Sequence, residues 1–294
     1  MAKIKFQLTN HPWLFLLVFM VLTLLCQIII GVLLYPLKLP IGSPASIFLT
    51  MLLGNLLLLF IIVPFVLGFP KRPKPYETYL TEIRLANLTP FIRLLVLGIS
   101  CWVILALCQV AGVLVYRLTQ GLPIDAGFMQ TWFRLSTELP PNSPSVWVSF
   151  PSILEEVAFR GVILAMFLRF YSKRKAILFS ALGFGIIHLF NIVNGGDPVW
   201  VAGQAVWAAI LGLFYGYVTL RTGSLLPAMI FHYLSNVFVS ALNSYINTYA
   251  TVGEQVLYGV TLTMGVVPVI LMILWTRGFT NWFKMTHKSE SSTA

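Results

Sequence analysis

The chain has 294 residues, of which 58% are hydrophobic and only 10% charged, and its formal net charge is +10. Soluble domains carry about a quarter charged residues, so this composition excludes an ordinary soluble fold and belongs with polytopic membrane proteins. The positive charge does not indicate nucleic acid: its Lys and Arg residues sit in short gaps between apolar runs instead of lining a polar face.

A membrane-spanning helix needs about 20 mostly apolar residues, and eight runs qualify: 13–35, 45–69, 91–116, 146–171, 176–194, 199–220, 224–246 and 255–276. They predict an all-α membrane protein, a bundle of about eight transmembrane helices in one integral domain. The first run follows Lys3 and Lys5, as a secretory signal would. From Trp13 to Tyr35, however, it is too long for one and ends without a small-residue cleavage site, so it reads as a retained span. Soluble-looking sequence is confined to the ends, to PKRPKPYETYLTEIRLANLTP (70–90) and to 117–145 with its PPNSP. Cys26, Cys101 and Cys108 all lie in apolar runs; an odd count without a CxxC pattern suggests small buried residues, not disulfides or zinc ligands. Trp13, Trp200 and Trp282 fall where interfacial aromatics are expected.

Orientation follows from the basic residues of the short loops. With a cytoplasmic N-terminus, the inner side receives Lys3, Lys5, Lys71, Arg72, Lys74, Arg84, Arg93, Arg169, Lys173, Arg174, Lys175, Arg221, Arg277, Lys284 and Lys288. The outer side receives only Lys38, Arg117 and Arg134. This asymmetry fits eight spans with both termini cytoplasmic, in a multi-pass protein expected in the plasma membrane.

Inside the runs, the ionisable residues are few. Glu155, Glu156 and Arg160 share the fourth; His188 lies in the fifth and His232 in the seventh. His11 and His287 lie near the chain ends and read as solvated. Each charge within a span costs about 2.5–3.5 kcal/mol even on lenient insertion scales. Glu156 and Arg160 stand four residues apart on one helix, so their side chains can meet and cancel charge. Glu155 has no such partner in its own helix. It must face a polar cavity, meet a partner from another helix, or stay protonated. At 1.5 Å per residue, Glu155, His188 and His232 lie roughly 24, 18 and 12 Å from the inner face, depths that permit one shared site. Asn236 falls one turn after His232 on the same helical face. Polar residues that merely hold membrane helices together are the bland alternative. It accounts for Glu156 with Arg160, but not for Glu155, His188 and His232.

Three motifs stand in order on separate late runs: EEVAFR as EExxxR, FGIIH as FxxxH, and HYLSN as HxxxN, with LRTGSLLPAMIFHYLSN (220–236) around the last. In this the sequence resembles the CPBP or Abi family, which includes CAAX prenyl endopeptidases and bacteriocin-processing or self-immunity proteins. The resemblance covers roughly 145–246, a catalytic core; residues 1–144 carry helices and loops without a recognisable motif, and 247–294 the last helix and a cytoplasmic tail. It implies an intramembrane endopeptidase in which Glu155, assisted by His188, activates water while His232 and Asn236 stabilise the oxyanion. Glu156 and Arg160 would orient the glutamate helix, and Phe184 would be the packing residue of its motif. Glu155, His188 and His232 are also a donor set for zinc, although the HExxH pattern is absent. A mechanism without a cofactor is preferred, with zinc as the alternative. The expected partners are the lipid bilayer and a membrane-associated protein or a lipidated or hydrophobic peptide as substrate; no nucleic acid is expected. Two rival classes remain: a non-catalytic immunity or scaffold protein of the same fold, and a proton-coupled transporter built on buried Glu and His.

Overall fold

The computed structural model describes residues 7–40, 42–69, 76–119, 149–193, 195–196, 198–249 and 266–285, with positions 121, 123, 124 and 147. Every regular element among them is helical. Helix α1 spans Pro12–Leu34 and α2 spans Pro44–Leu57, each opened by a proline whose missing N–H costs nothing in a first turn. The Ser43 side chain caps α2 by accepting from the Ser46 N–H at 3.3 Å. Beyond Leu57 the helix widens into a π-helical stretch, Leu58–Val66, which accommodates Pro64 and its missing donor. A short helix α3, Tyr76–Glu82, precedes α4, Phe91–Thr119.

Helix α5 runs through three consecutive segments: Ser152–Glu156, a π-helical Val157–Ile163, and Leu164–Leu168. Then follow α6, Lys173–His188, extended by the 3-10 turn Leu189–Ile192; α7, Pro198–Thr222; α8, Leu226–Tyr249; and α9, Val266–Trp282. Each apolar run of the sequence thus carries a helix. Five stretches are long and apolar enough to cross a membrane by length and composition: Pro12–Leu37, Pro44–Val66, Phe91–Gly112, Lys173–Ile192 and Val201–Thr222. Helices α5, which carries charges, and α8, which carries His232, are not among those five stretches, and α9 is a shorter apolar helix. The 117–145 loop lies almost wholly outside the described residues, as do 255–265 of the last run, Lys3, Lys5, Lys71, Arg72, Lys74, Arg134, His287 and Lys288.

Burial is distributed as a bilayer demands. Ile28, Val32, Val66 and Leu107 project outwards from the bundle, whereas Glu156 and Arg160 are fully buried. A protein bathed in lipid leaves its apolar side chains outside and hides its charges among helices. The chain is therefore an integral, multi-pass membrane protein.

Helices α6 and α7 pack through small residues that admit close backbone approach. A Cβ at Gly185 would stand 2.6 Å from the Ala205 carbonyl oxygen, and one at Gly216 would stand 3.0 Å from the Ile177 side chain. The α7–α8 turn reverses at Gly223, whose φ of +70° suits glycine. Ser224 then opens α8 by accepting from the Leu226 N–H at 3.2 Å.

The 70–90 stretch, expected to be soluble in character, departs from that reading over its described part. Tyr79 is buried and its hydroxyl donates to the Leu59 carbonyl at 2.5 Å; Ile83 is fully buried. Asn87 Nδ2 donates to the Gly223 carbonyl at 2.9 Å, and Glu82 pairs with Arg169 at 3.0 Å. Ile83 lies against Gly161, where an added Cβ would come within 3.2 Å of it. The polar letters of this segment thus hide a strap that docks its apolar face on α5.

The α6–α7 contact predicts that Gly185→Ala lowers the thermal unfolding midpoint in detergent, through an overpacking cost of about 1–3 kcal/mol. Gly31→Ala, where a Cβ meets nothing within 4 Å, leaves the midpoint unchanged or slightly raised.

Candidate active site

Three helices bring the motif residues together. Helix α5 supplies Glu155, Glu156 and Arg160; α6 supplies Phe184 and His188 at its C-terminal end; α8 supplies His232 one turn and a half from its start. The π-helical Val157–Ile163 begins directly after the two glutamates and contains Arg160. Wide turns of this kind recur at functional sites, because they re-aim side chains without ending the helix.

Glu156 is the hub. Its Oε1 accepts from Arg160 Nη1 at 3.2 Å and from His232 Nδ1 at 2.8 Å, and Glu156 and Arg160 are both fully buried. The carboxylate was expected to neutralise Arg160 and orient its helix. It also fixes an imidazole on α8, which sequence spacing had no means of showing.

Arg160 has Nε and Nη2 without hydrogen-bond partners among the described residues. Its guanidinium instead lies 4.1 Å from the Phe184 ring centroid and 4.7 Å from that of Tyr215, where the negative faces of the rings compensate the charge. Gly212 leaves the room for it, since a Cβ there would stand 2.9 Å from Arg160 Nη2.

Glu155 differs from its neighbour in exposure: its side chain is 24% accessible against 0% for Glu156. Its Oε2 lies 3.9 Å from His232 Nε2, within reach of an ion pair but beyond a hydrogen bond. Of the options open from sequence, the structure therefore gives Glu155 partial access and a facing group from another helix. His232 stands between the two carboxylates, its Nδ1 on Glu156 and its Nε2 towards Glu155.

His188 Nδ1 lies 2.7 Å from the Phe184 carbonyl oxygen. A carbonyl can only accept, so Nδ1 carries the proton and the neutral ring presents the lone pair of Nε2. The Phe184 ring meets the edges of both imidazoles, at 4.7 Å from His188 and 5.6 Å from His232. Asn236 is half-buried one turn beyond His232. Among the described residues no group of three or more His, Cys, Asp or Glu side chains converges closely enough to hold a metal ion. The expected donor set of Glu155, His188 and His232 does not form a ligand cage in this arrangement.

Sequence reading missed two residues, Tyr215 and Gly212. Both lie in LGLFYGY, where Gly212 and Gly216 form a GxxxG pair around aromatic side chains. Such spacing marks a close helix contact and was the available signal.

Residues 144–238, about a third of the chain, match the family model described as Rce1-like, type II CAAX prenyl endopeptidase. This segment contains all three motifs and agrees with the resemblance to the CPBP/Abi family. No curated protein and no solved structure matches the chain.

Removing one member of the buried pair leaves the other uncompensated. Arg160→Met is expected to destabilise the protein by about 3–5 kcal/mol, and the double variant Glu156→Gln/Arg160→Met to recover part of that loss. Chemical unfolding of the purified variants in mixed micelles measures both.

Proposed function

We propose that this protein is an intramembrane endopeptidase that hydrolyses a peptide bond in a membrane-associated protein or a lipidated or hydrophobic peptide. The observation that carries the reading is the pairing of a partly accessible carboxylate, Glu155, with an imidazole whose far nitrogen is anchored on a second, fully buried carboxylate. Peptide hydrolysis needs an activated water, a donor for the developing oxyanion and a proton for the departing amine.

Glu155 is the general base: it takes a proton from water as the oxygen attacks the carbonyl carbon. His188 offers the Nε2 lone pair to orient that water, its tautomer held by the Phe184 carbonyl. With His232 protonated, the cluster is electroneutral, Glu155 and Glu156 balancing Arg160 and His232. The imidazolium then directs Nε2–H at the oxyanion, and Asn236 supplies a second donor. Collapse of the tetrahedral intermediate breaks the C–N bond, and the proton held by Glu155 passes to the amine. Glu156 stays ionised throughout, as the anchor of His232. No step is routed through a metal, and a glutamate mechanism without a cofactor is the reading preferred.

The proposed topology has eight spans in the plasma membrane with both termini cytoplasmic. In that arrangement α5, α8 and α9 complete the five stretches that qualify by length and apolarity. The polar α5 and α8 are then shielded from lipid by their neighbours.

The reading predicts that Glu155→Gln and His232→Ala each lower cleavage by purified protein at least about a hundredfold. Glu155→Gln does so with unchanged folding, and His232→Ala with some loss of stability, because it removes a partner of the buried Glu156. A suitable probe is a product found in parent membranes and lost from membranes carrying Glu155→Gln. Cleavage by both variants at the parent rate would refute the assignment. One tightly held zinc per chain in elemental analysis, removed together with activity by a chelator, would overturn the preference for a metal-free mechanism.

A further inference from the structure

We infer that Tyr215, which lies outside all three motifs, is a positioning residue for His232 and Arg160. Its kinetic consequence rests on the peptidase reading above; its structural content does not. Tyr215 lies on α7 and is fully buried. Its ring is stacked on the His232 imidazole, with centroids 5.0 Å apart and planes 26° apart, and the Arg160 guanidinium lies 4.7 Å from the same ring. The edge-to-face contact with Phe184, at 6.4 Å and 77°, ties it to the ring that touches both histidines.

This stack supplies what the hydrogen bonds lack. The bond from Nδ1 to Glu156 fixes one atom of the His232 ring but leaves the ring free to swing about that bond. A flat neighbour at stacking distance removes the swing, so Nε2 stays aimed towards Glu155. The same π-system favours cations: it compensates Arg160, whose Nε and Nη2 have no hydrogen-bond partners among the described residues, and supports the protonated imidazole. The Tyr215 hydroxyl makes no hydrogen bond of ordinary geometry among the described residues, with the Ser235 side chain beside it. The working part is therefore the ring face, and phenylalanine should replace it.

The experiment compares Tyr215→Phe, Tyr215→Leu and a chain carrying pentafluorophenylalanine at 215. The fluorinated ring keeps the aromatic shape but reverses the charge of its face. Two readouts are taken: kcat and KM for the cleaved peptide, and the ring-proton shifts of His232 in histidine-labelled protein, which report the shielding by a stacked ring. Tyr215→Phe is expected to keep the shielded His232 signal and kcat within about twofold of the parent. Tyr215→Leu is expected to lose the shielding and to lower kcat about tenfold or more with KM unchanged, as for other small misplacements of a reacting group. If the leucine variant fails to fold, the fluorinated chain decides, with the same fall in kcat expected in the fraction that folds. The proposal is overturned if Tyr215→Leu keeps both the signal and kcat, if Tyr215→Phe falls as far as Tyr215→Leu, or if only KM changes. A parent protein without peptidase activity would sink the functional reading alone. The clamp would then stand or fall on whether the His232 signal moves in Tyr215→Leu and not in Tyr215→Phe.

Discussion

A single carboxylate, Glu156, sits without solvent access in an apolar bundle, and the rest of the site is arranged around that fact. An isolated ion in such a place would neutralise or drive the helix out of the membrane. Two groups from different helices answer it, Arg160 from its own helix and His232 from α8. Arg160 in turn needs compensation beyond one carboxylate, and it finds the faces of Phe184 and Tyr215. Those rings can reach it because Gly212 leaves space on α7. One buried charge thereby links α5, α6, α7 and α8.

The linkage explains why two adjacent glutamates have different surroundings. Residues 155 and 156 are displaced by about 100° around their helix, so one points inward to the charge cluster and the other to a partly accessible edge. The inward carboxylate is held at Oε1 by Arg160 and His232, while Oε2 has no hydrogen-bond partner among the described residues, and it suits a fixed electrostatic anchor. The outward one has a facing imidazole at 3.9 Å and no bond to it, which suits a group that must exchange protons. The imidazole between them passes the constraint on, since whatever fixes Glu156 also fixes His232.

Support from outside the motifs is equally physical. The π-helical turns after Glu156 alter the spacing of side chains along α5. The strap formed by α3 and the residues after it presses Ile83 against Gly161, one residue beyond Arg160. It is tied down through Tyr79, Asn87 and the Glu82–Arg169 pair. Segments with no chemical signature of their own thus hold the charged helix in place.

Much of this was legible in the amino-acid sequence. Hydropathy located a helix at each apolar run, and the cost of charge in lipid singled out Glu155, Glu156, Arg160, His188 and His232. The four-residue spacing of Glu156 and Arg160 foretold their contact, because neighbours on one helix face are fixed by helix geometry alone. The strap was not legible, since its docking face comprises a few residues among many polar ones. Nor was the bond from His232 to Glu156, or the stack of Tyr215 on His232. Those contacts join residues 76 and 17 positions apart, and the relative rotation of two packed helices is set by every side chain between them. Sequence determined which groups could not stand alone in a membrane; only tertiary packing decided which partner each received, because partnership depends on the angle and depth at which separate helices meet.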